Sequence, residues 1–235
     1  MAEAVLWGVV AASPLFVGAV LALIRKWPPR WLGIVLGFGA GALMASIAFE
    51  LWEEGIELAG PVPLLIGVVA GAFSYYIADR ILEAREAKAK GQAGGGQLAV
   101  GALLDGIPEQ LVLGIGLASG EPVSVALVVA ILVSNLPESI GSASDLRESG
   151  MSRGKVLLLW GAVAVVCALA TVGGFAVASV TGDAFRSAAS GFAAGALLVM
   201  LVDSMIPEAQ SKAKQATGLA TVLGFALAAG LSLAS

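Results

Sequence analysis

The 235-residue sequence contains no histidine and a single cysteine, Cys167. Without histidine, the chain has no imidazole to serve as a catalytic base or a metal ligand. One cysteine can form neither an internal disulfide nor a CxxC metal motif. A glycine-rich loop of the ATP-binding type is also missing from the sequence, which argues against direct coupling to ATP hydrolysis.

Charged residues are scarce as well, at 13% of the chain, whereas 58% of the residues are hydrophobic. This balance is typical of a membrane protein and not of a soluble domain. A hydrocarbon core of about 30 Å requires about 20 helical residues, and eight apolar stretches of roughly that length recur along the chain. They are 5–24, 32–51, 64–81, 98–118, 123–142, 156–180, 187–206 and 218–234. We predict an all-α polytopic membrane protein with eight transmembrane helices in a single domain, 1–235.

The basic residues predict the orientation of these spans. All but one of the basic residues that lie between spans are in the loops after spans 1, 3, 5 and 7, and this bias marks those loops as cytoplasmic. The exception is Arg186. We therefore predict a multi-pass protein of the cytoplasmic (inner) membrane with both termini outside. The stretch 83–97 begins with charged residues and ends in glycines, which predicts a mobile cytoplasmic linker.

Two sequence repeats each pair spans that cross the membrane in opposite senses. GFGAGAL at 37–43 matches GFAAGAL at 191–197, and DGIPE at 105–109 aligns with SNLPE at 134–138. We predict inverted repeats in a 3+2+3 arrangement, a plan of secondary transporters that hold substrate near the midplane. The alternative is that glycine-rich strings recur in any tightly packed helix bundle.

Three acids fall near the middle of spans 4 and 5, namely Asp105, Glu109 and Glu138. An ionised carboxylate there costs at least about 2.5 to 3.5 kcal/mol if it faces lipid, so these side chains must face protein or a water-filled path. On a helix, Asp105 and Glu109 share a face because they are four residues apart.

The partner motif adds further oxygen ligands. Ser134 lies four residues before Glu138, with Asn135 beside it, and the proline of each motif frees a backbone carbonyl four residues earlier. If spans 4 and 5 pack side by side, the motifs form an all-oxygen cage that attracts hard divalent cations such as Mg²⁺, Mn²⁺ or Ca²⁺. The alternative is a set of protonated acids bonded to backbone in helices kinked to fit the bundle.

Two further acids are candidates for a pathway to and from this site. Glu50 lies just within span 2, at an acidic outer end that would concentrate cations, although such acids also simply solvate a helix end. Asp203 lies within span 7, where it either lines an exit route or bonds to a neighbouring serine. A hydrolase is disfavoured, because no Gly-x-Gly-Asp, Ser-His or HExxH arrangement is present.

The two motifs resemble those of the ZIP (Zrt- and Irt-like) divalent metal transporters. In that family, span 4 carries His-Asn-x-Pro-Glu and span 5 carries a polar pair before x-Pro-Glu or x-Pro-His. Eight spans, outward termini, a variable loop after span 3 and DSMIPEA at 203–209 extend the resemblance over the whole chain. The sequence looks like a divergent, histidine-free member of bacterial or archaeal type.

The resemblance assigns the motif residues by position. Asp105 stands where the family has histidine, and Gly106 where it has asparagine. Ser134 and Asn135 replace the polar pair of span 5, and the glutamates are retained. Some members build a second metal position with an acid of span 6, but 156–180 contains none, so a binuclear centre is not expected.

The function implied is secondary transport of a divalent cation by alternating access. Spans 1, 4, 5 and 6 would move against 2, 3, 7 and 8 within a homodimer. We expect the ion (zinc, manganese, iron or cadmium) as substrate with no cofactor, the lipid bilayer as surroundings, and no nucleic-acid partner. The alternative is a membrane sensor, or a degenerate family member, that binds metal without transporting it.

Overall fold

The computed structural model describes residues 1–88, 95–120 and 123–234, and these residues form helices and connecting turns without any strand. Within this described part the chain makes eight long helices. They are α1 (Ala2–Ile24), α2 (Pro29–Ala59), α3 (Pro61–Lys88), α4 (Gly95–Leu117), α5 (Val125–Glu148), α6 (Arg153–Ala178), α7 (Asp183–Ala213) and α8 (Ala216–Ser232).

Most of these helices are long and apolar enough to cross a membrane. Among the described residues, 7 helices, α1 to α7, meet that requirement, and α8 is apolar but only 17 residues long. The all-α polytopic fold expected from composition is thereby confirmed. An eighth crossing and the 3+2+3 arrangement of repeats stay predictions.

The helix ends follow local sequence rules. Gly60 ends α2 with a φ of 77°, a left-handed conformation that glycine adopts without a Cβ penalty. Pro61 opens α3, a position where its missing N–H costs nothing. Ser124 caps α5 by accepting a hydrogen bond from the Leu127 N–H at 3.0 Å. The predicted linker, 83–97, is helical at both ends, and its centre, 89–94, lies outside the described residues.

The helices associate in pairs whose pattern repeats. The most extensive pairs are α3 with α7, α2 with α7 and α8, α4 with α6, and α1 with α5 and α6. Glycines at the crossings permit this approach. An ideal Cβ on Gly41 of α2 would lie 1.9 Å from the Thr221 carbonyl oxygen of α8, and one on Gly195 of α7 would lie 2.0 Å from the Val68 oxygen of α3. Small residues therefore bring these helix backbones into direct contact.

Helices α2 and α7 have the same internal construction. Each consists of an α-helical part of 18 residues, a π-helical turn of 5 residues and a final α-helical part of 8 residues. The π turns are Ile47–Leu51 and Leu201–Met205. The two glycine repeats begin at corresponding positions of these helices. This correspondence supports the prediction of related halves, and π turns of this kind often mark functional sites.

Candidate metal centre

Helices α4 and α5 both continue through their central prolines, Pro108 and Pro137. A proline inside a helix lacks the N–H that would bond the carbonyl four residues earlier. The carbonyls of Leu104 and Val133 therefore lose their usual helical partner. Both positions lie beside the acidic residues that the sequence singled out.

Glu109 is the most deeply buried of the three predicted acidic ligands, with only 2% of its surface exposed. The Ser134 hydroxyl of α5 lies 3.2 Å from its Oε1 and shares its single proton between this oxygen and the Ile131 carbonyl oxygen at 3.1 Å, so the two motifs are in direct contact. The second oxygen, Oε2, is buried and has no hydrogen-bond partner among the described residues. A buried carboxylate oxygen without a donor is costly unless a proton or a cation occupies it.

Asp105 and Glu138 are half-buried and line the same small cavity as Glu109 and Ser134. The cavity has a volume of about 10 Å³, close to the space that one water molecule needs. The Tyr75 hydroxyl of α3 donates a hydrogen bond to Oδ1 of Asp105. The remaining lining comes from α2 and α7, through Leu36, Met200, Ser204, Met205 and Glu208.

The predicted ligands do not form a single coordination shell in this structure. Asn135 is buried, and its amide Nδ2 has no partner among the described residues, but it does not line the cavity. Across the described part of the chain, no three His, Cys, Asp or Glu side chains are grouped closely enough to hold a metal ion. The acids thus surround a common space without converging on a point, and the ligand set stays a prediction.

Glu50 lies in the π turn of α2 and lines a second, larger cavity of about 660 Å³ on the predicted outer side. Other acids of α2 line it too, namely Glu53, Glu54 and Glu57. The floor includes Val112 and Leu113, one turn beyond Glu109 on α4. The two cavities share no lining residue, so apolar side chains separate the outer cavity from the Asp105 and Glu109 carboxylates.

Asp203 lies in the π turn of α7, where it is exposed, and the structure does not bring it to the small cavity. Its neighbours Ser204 and Glu208 line that cavity instead. Glu208 also forms an ion pair with Lys212 at 2.5 Å. Among the residues of α7, Ser204 and Glu208 are therefore the polar side chains that share a cavity with the acids.

Sequence reasoning missed Tyr75 and Ser204 as residues of this site. A signal for Tyr75 was available, because a tyrosine in the middle of an apolar helix must find a partner for its hydroxyl. No comparable signal identifies Ser204, whose direction depends on the π turn that contains it.

Gly106 stands where the resemblance predicts an asparagine, and the structure gives a packing reason. An ideal Cβ at this position would lie 2.8 Å from Sγ of Cys167, which is fully buried in α6. G106A is therefore expected to lose about 1 to 3 kcal/mol of stability through overpacking. Adding C167A should recover most of that loss, as measured by thermal melting in detergent. G173A is the matched control, because among the described residues no atom outside the local helix backbone and the adjacent residues lies within 4 Å of a Cβ there. Equal melting of G106A and G173A would contradict the contact.

Two comparisons with known proteins bear on this site. Residues 83–232, which include both proline motifs, match the family described as ZIP Zinc transporter. An Arabidopsis thaliana protein named "Putative zinc transporter" is 28% identical over 221 residues. That alignment covers 90% of this chain but 35% of the plant protein, so the chain spans about a third of its relative's length. The family match covers more than half of the chain and both halves of the candidate site, and the chain therefore belongs to the ZIP family.

Proposed function

We propose that the protein is a secondary transporter that moves a divalent metal cation across the cytoplasmic membrane by alternating access. The ion would bind between α4 and α5, where Asp105, Glu109 and Glu138 surround one small cavity. Family membership supports a divalent metal as the transported ion. Zinc is the first candidate, with manganese, iron and cadmium as others.

The single observation that carries this proposal is the state of Glu109. Its side chain is buried, it is tied to Ser134 of α5, and one of its oxygens has no partner in the described part of the chain. A cation that binds there would satisfy this oxygen and offset the cost of burying the charge. The lining has no imidazole or thiolate, and apart from the thioether sulfurs of Met200 and Met205 its possible ligand atoms are oxygens, which suit hard ions better than zinc.

The cavities suggest how access would alternate. The acidic outer cavity would collect cations, since clustered carboxylates raise the local concentration of positive ions. In this conformation Val112 and Leu113 lie between that cavity and Glu109, while Ser204 and Glu208 line the site from the other side. We assign this conformation to the state closed toward the outer cavity. Outward termini and a homodimer belong to the same proposal.

Flux measurements test the proposal. The purified full chain is reconstituted into liposomes with a trapped indicator, and Zn²⁺, Cd²⁺, Fe²⁺, Mn²⁺, Mg²⁺ and Ca²⁺ are tested one at a time against empty liposomes. Saturable flux of at least one ion is expected. If no ion moves while a metal still raises the melting temperature of the protein, the sensor function replaces transport. If no ion moves and none stabilises the protein, both functions fail.

A further inference from the structure

Tyr75 lies on α3 and is enclosed by the protein, whereas its sequence neighbour Tyr76 faces outward. Only 3% of Tyr75 is exposed, and its ring belongs to a buried cluster with Leu36 and Met200. Tyr76 is 45% exposed, with Arg80 over its ring. Of the two tyrosines, Tyr75 has its hydroxyl inside the protein, and this hydroxyl donates a hydrogen bond to the Asp105 carboxylate.

We propose that Tyr75 is a positioning residue that holds the Asp105 carboxylate in the orientation in which it binds the transported cation. This role rests on the proposed transport function. An ionised carboxylate offers about four lone-pair sites on two oxygens, and the tyrosine hydroxyl occupies one of them. The remaining sites stay available to a cation, and the hydrogen bond fixes the rotation of the carboxylate that presents them.

Asp105 needs such a partner more than Glu109 does. Glu109 is already restrained by complete burial and by Ser134. Asp105 is half-buried beside Gly106, which has no side chain to support it. Partners in the outer shell of a metal site orient its ligands, and losing one typically costs about 10 to 100-fold in metal affinity or activity.

The bond also joins α4 to α3, a pair that packs less extensively than either helix packs on its main partner. Helix α3 packs mainly on α7, and α4 packs mainly on α6. A movement of α4 and α6 that carries Asp105 away from α3 would break this hydrogen bond. The Tyr75 hydroxyl would then orient the Asp105 carboxylate in the conformation described here and would no longer contact it in the alternative conformation. A ligand shifts a conformational equilibrium only by its difference in affinity between states, and this contact supplies such a difference.

The test compares Y75F with Y76F, each in the full chain. The dissociation constants of Zn²⁺ and Mn²⁺ are measured by calorimetry in detergent, and KM and maximal rate are measured in proteoliposomes. Y75F is expected to raise the dissociation constant and KM about tenfold, at the lower end of outer-shell effects. Y76F is expected to match the wild type, and the metal-free melting temperatures of all three proteins should agree.

A second measurement keeps the hydroxyl group at position 75. The sequence contains 2 tyrosines, so fluorotyrosine incorporated into Y76F labels Tyr75 alone. Its fluorine resonance is expected to shift when the metal saturates the protein, because the electron density of the adjacent carboxylate changes. A resonance that does not move at saturation overturns the proposal.

The outcomes separate this role from the transport function itself. If the wild type neither binds nor transports any ion, the proposed function fails. If the wild type transports and Y75F has the same dissociation constant, only the positioning role fails. A Y75F protein that melts earlier but binds metal as tightly as the wild type shows that the bond only stabilises the fold, which also overturns the proposal.

Discussion

Replacing Glu109 or Glu138 with glutamine is expected to reduce saturable metal flux at least about thirtyfold. The substitution keeps the size of the side chain and an oxygen that can accept the Ser134 hydrogen bond, so the fold should persist. It removes a negative charge from the small cavity that both residues line. Removing one partner of a buried charge pair costs about 2 to 5 kcal/mol, and each 1.4 kcal/mol is about tenfold in affinity.

Initial rates in proteoliposomes measure this effect, with melting temperature as the check on folding. E148Q is the matched control, because Glu148 ends the same helix as Glu138 but is exposed. It should transport at the wild-type rate. Wild-type flux through E109Q would mean that the ion does not pass between α4 and α5.

Substituting alanine for Gly41 or Gly195 is expected to prevent normal packing of the membrane domain. A Cβ at either position would overlap a backbone carbonyl oxygen of the facing helix, at 1.9 Å for Gly41 and 2.0 Å for Gly195. Backbone atoms of a packed helix cannot move aside as a flexible side chain can. The loss should therefore reach or exceed about 3 kcal/mol, the upper end of the usual overpacking cost.

The two variants should behave alike, because the glycines occupy corresponding places in the repeated strings of α2 and α7. Thermal melting and the yield of monodisperse protein in detergent measure the effect. G218A and G230A in α8 are the controls, since in the described part of the chain a Cβ at either site would have no atom within 4 Å beyond the local helix backbone and the adjacent residues. A G41A protein that melts together with G218A would show that α2 and α8 do not pack as described.

The sequence predicted the class of this fold because that class depends on composition. A chain with 58% hydrophobic residues has more of them than the interior of a protein of this length can bury. The remaining hydrophobic residues must therefore face lipid. The acids of span 4 were identified for a related reason, since a charge in an apolar helix is expensive wherever it occurs. The structure brings Glu109 and Ser134 into contact, as side-by-side packing of the two motifs requires. Their role as metal ligands stays a prediction.

The direction in which residues of α7 face was harder to predict. Asp203 was singled out as a charged residue within a span, yet Ser204 and Glu208 line the small cavity. A π-helical turn contains more residues than an α-helical turn, so every side chain after it is rotated relative to the regular helix. No residue type in LVDSM identifies such a turn. The face of α7 on which these residues lie therefore cannot be predicted from the regular α-helical period of the sequence.

By itself, the sequence determined that the chain is an all-helical membrane protein, and it located the polar residues that cannot face lipid, because hydropathy and charge act locally along each helix. Only the tertiary structure decided which helices meet at the glycines, that Tyr75 of α3 bonds to Asp105 of α4, and that apolar side chains separate the outer cavity from the acids. These features depend on contacts between segments far apart in the chain. The geometry of these contacts depends on how closely two helix backbones approach each other. Apolar spans of similar composition do not specify which pairs of helices approach closely.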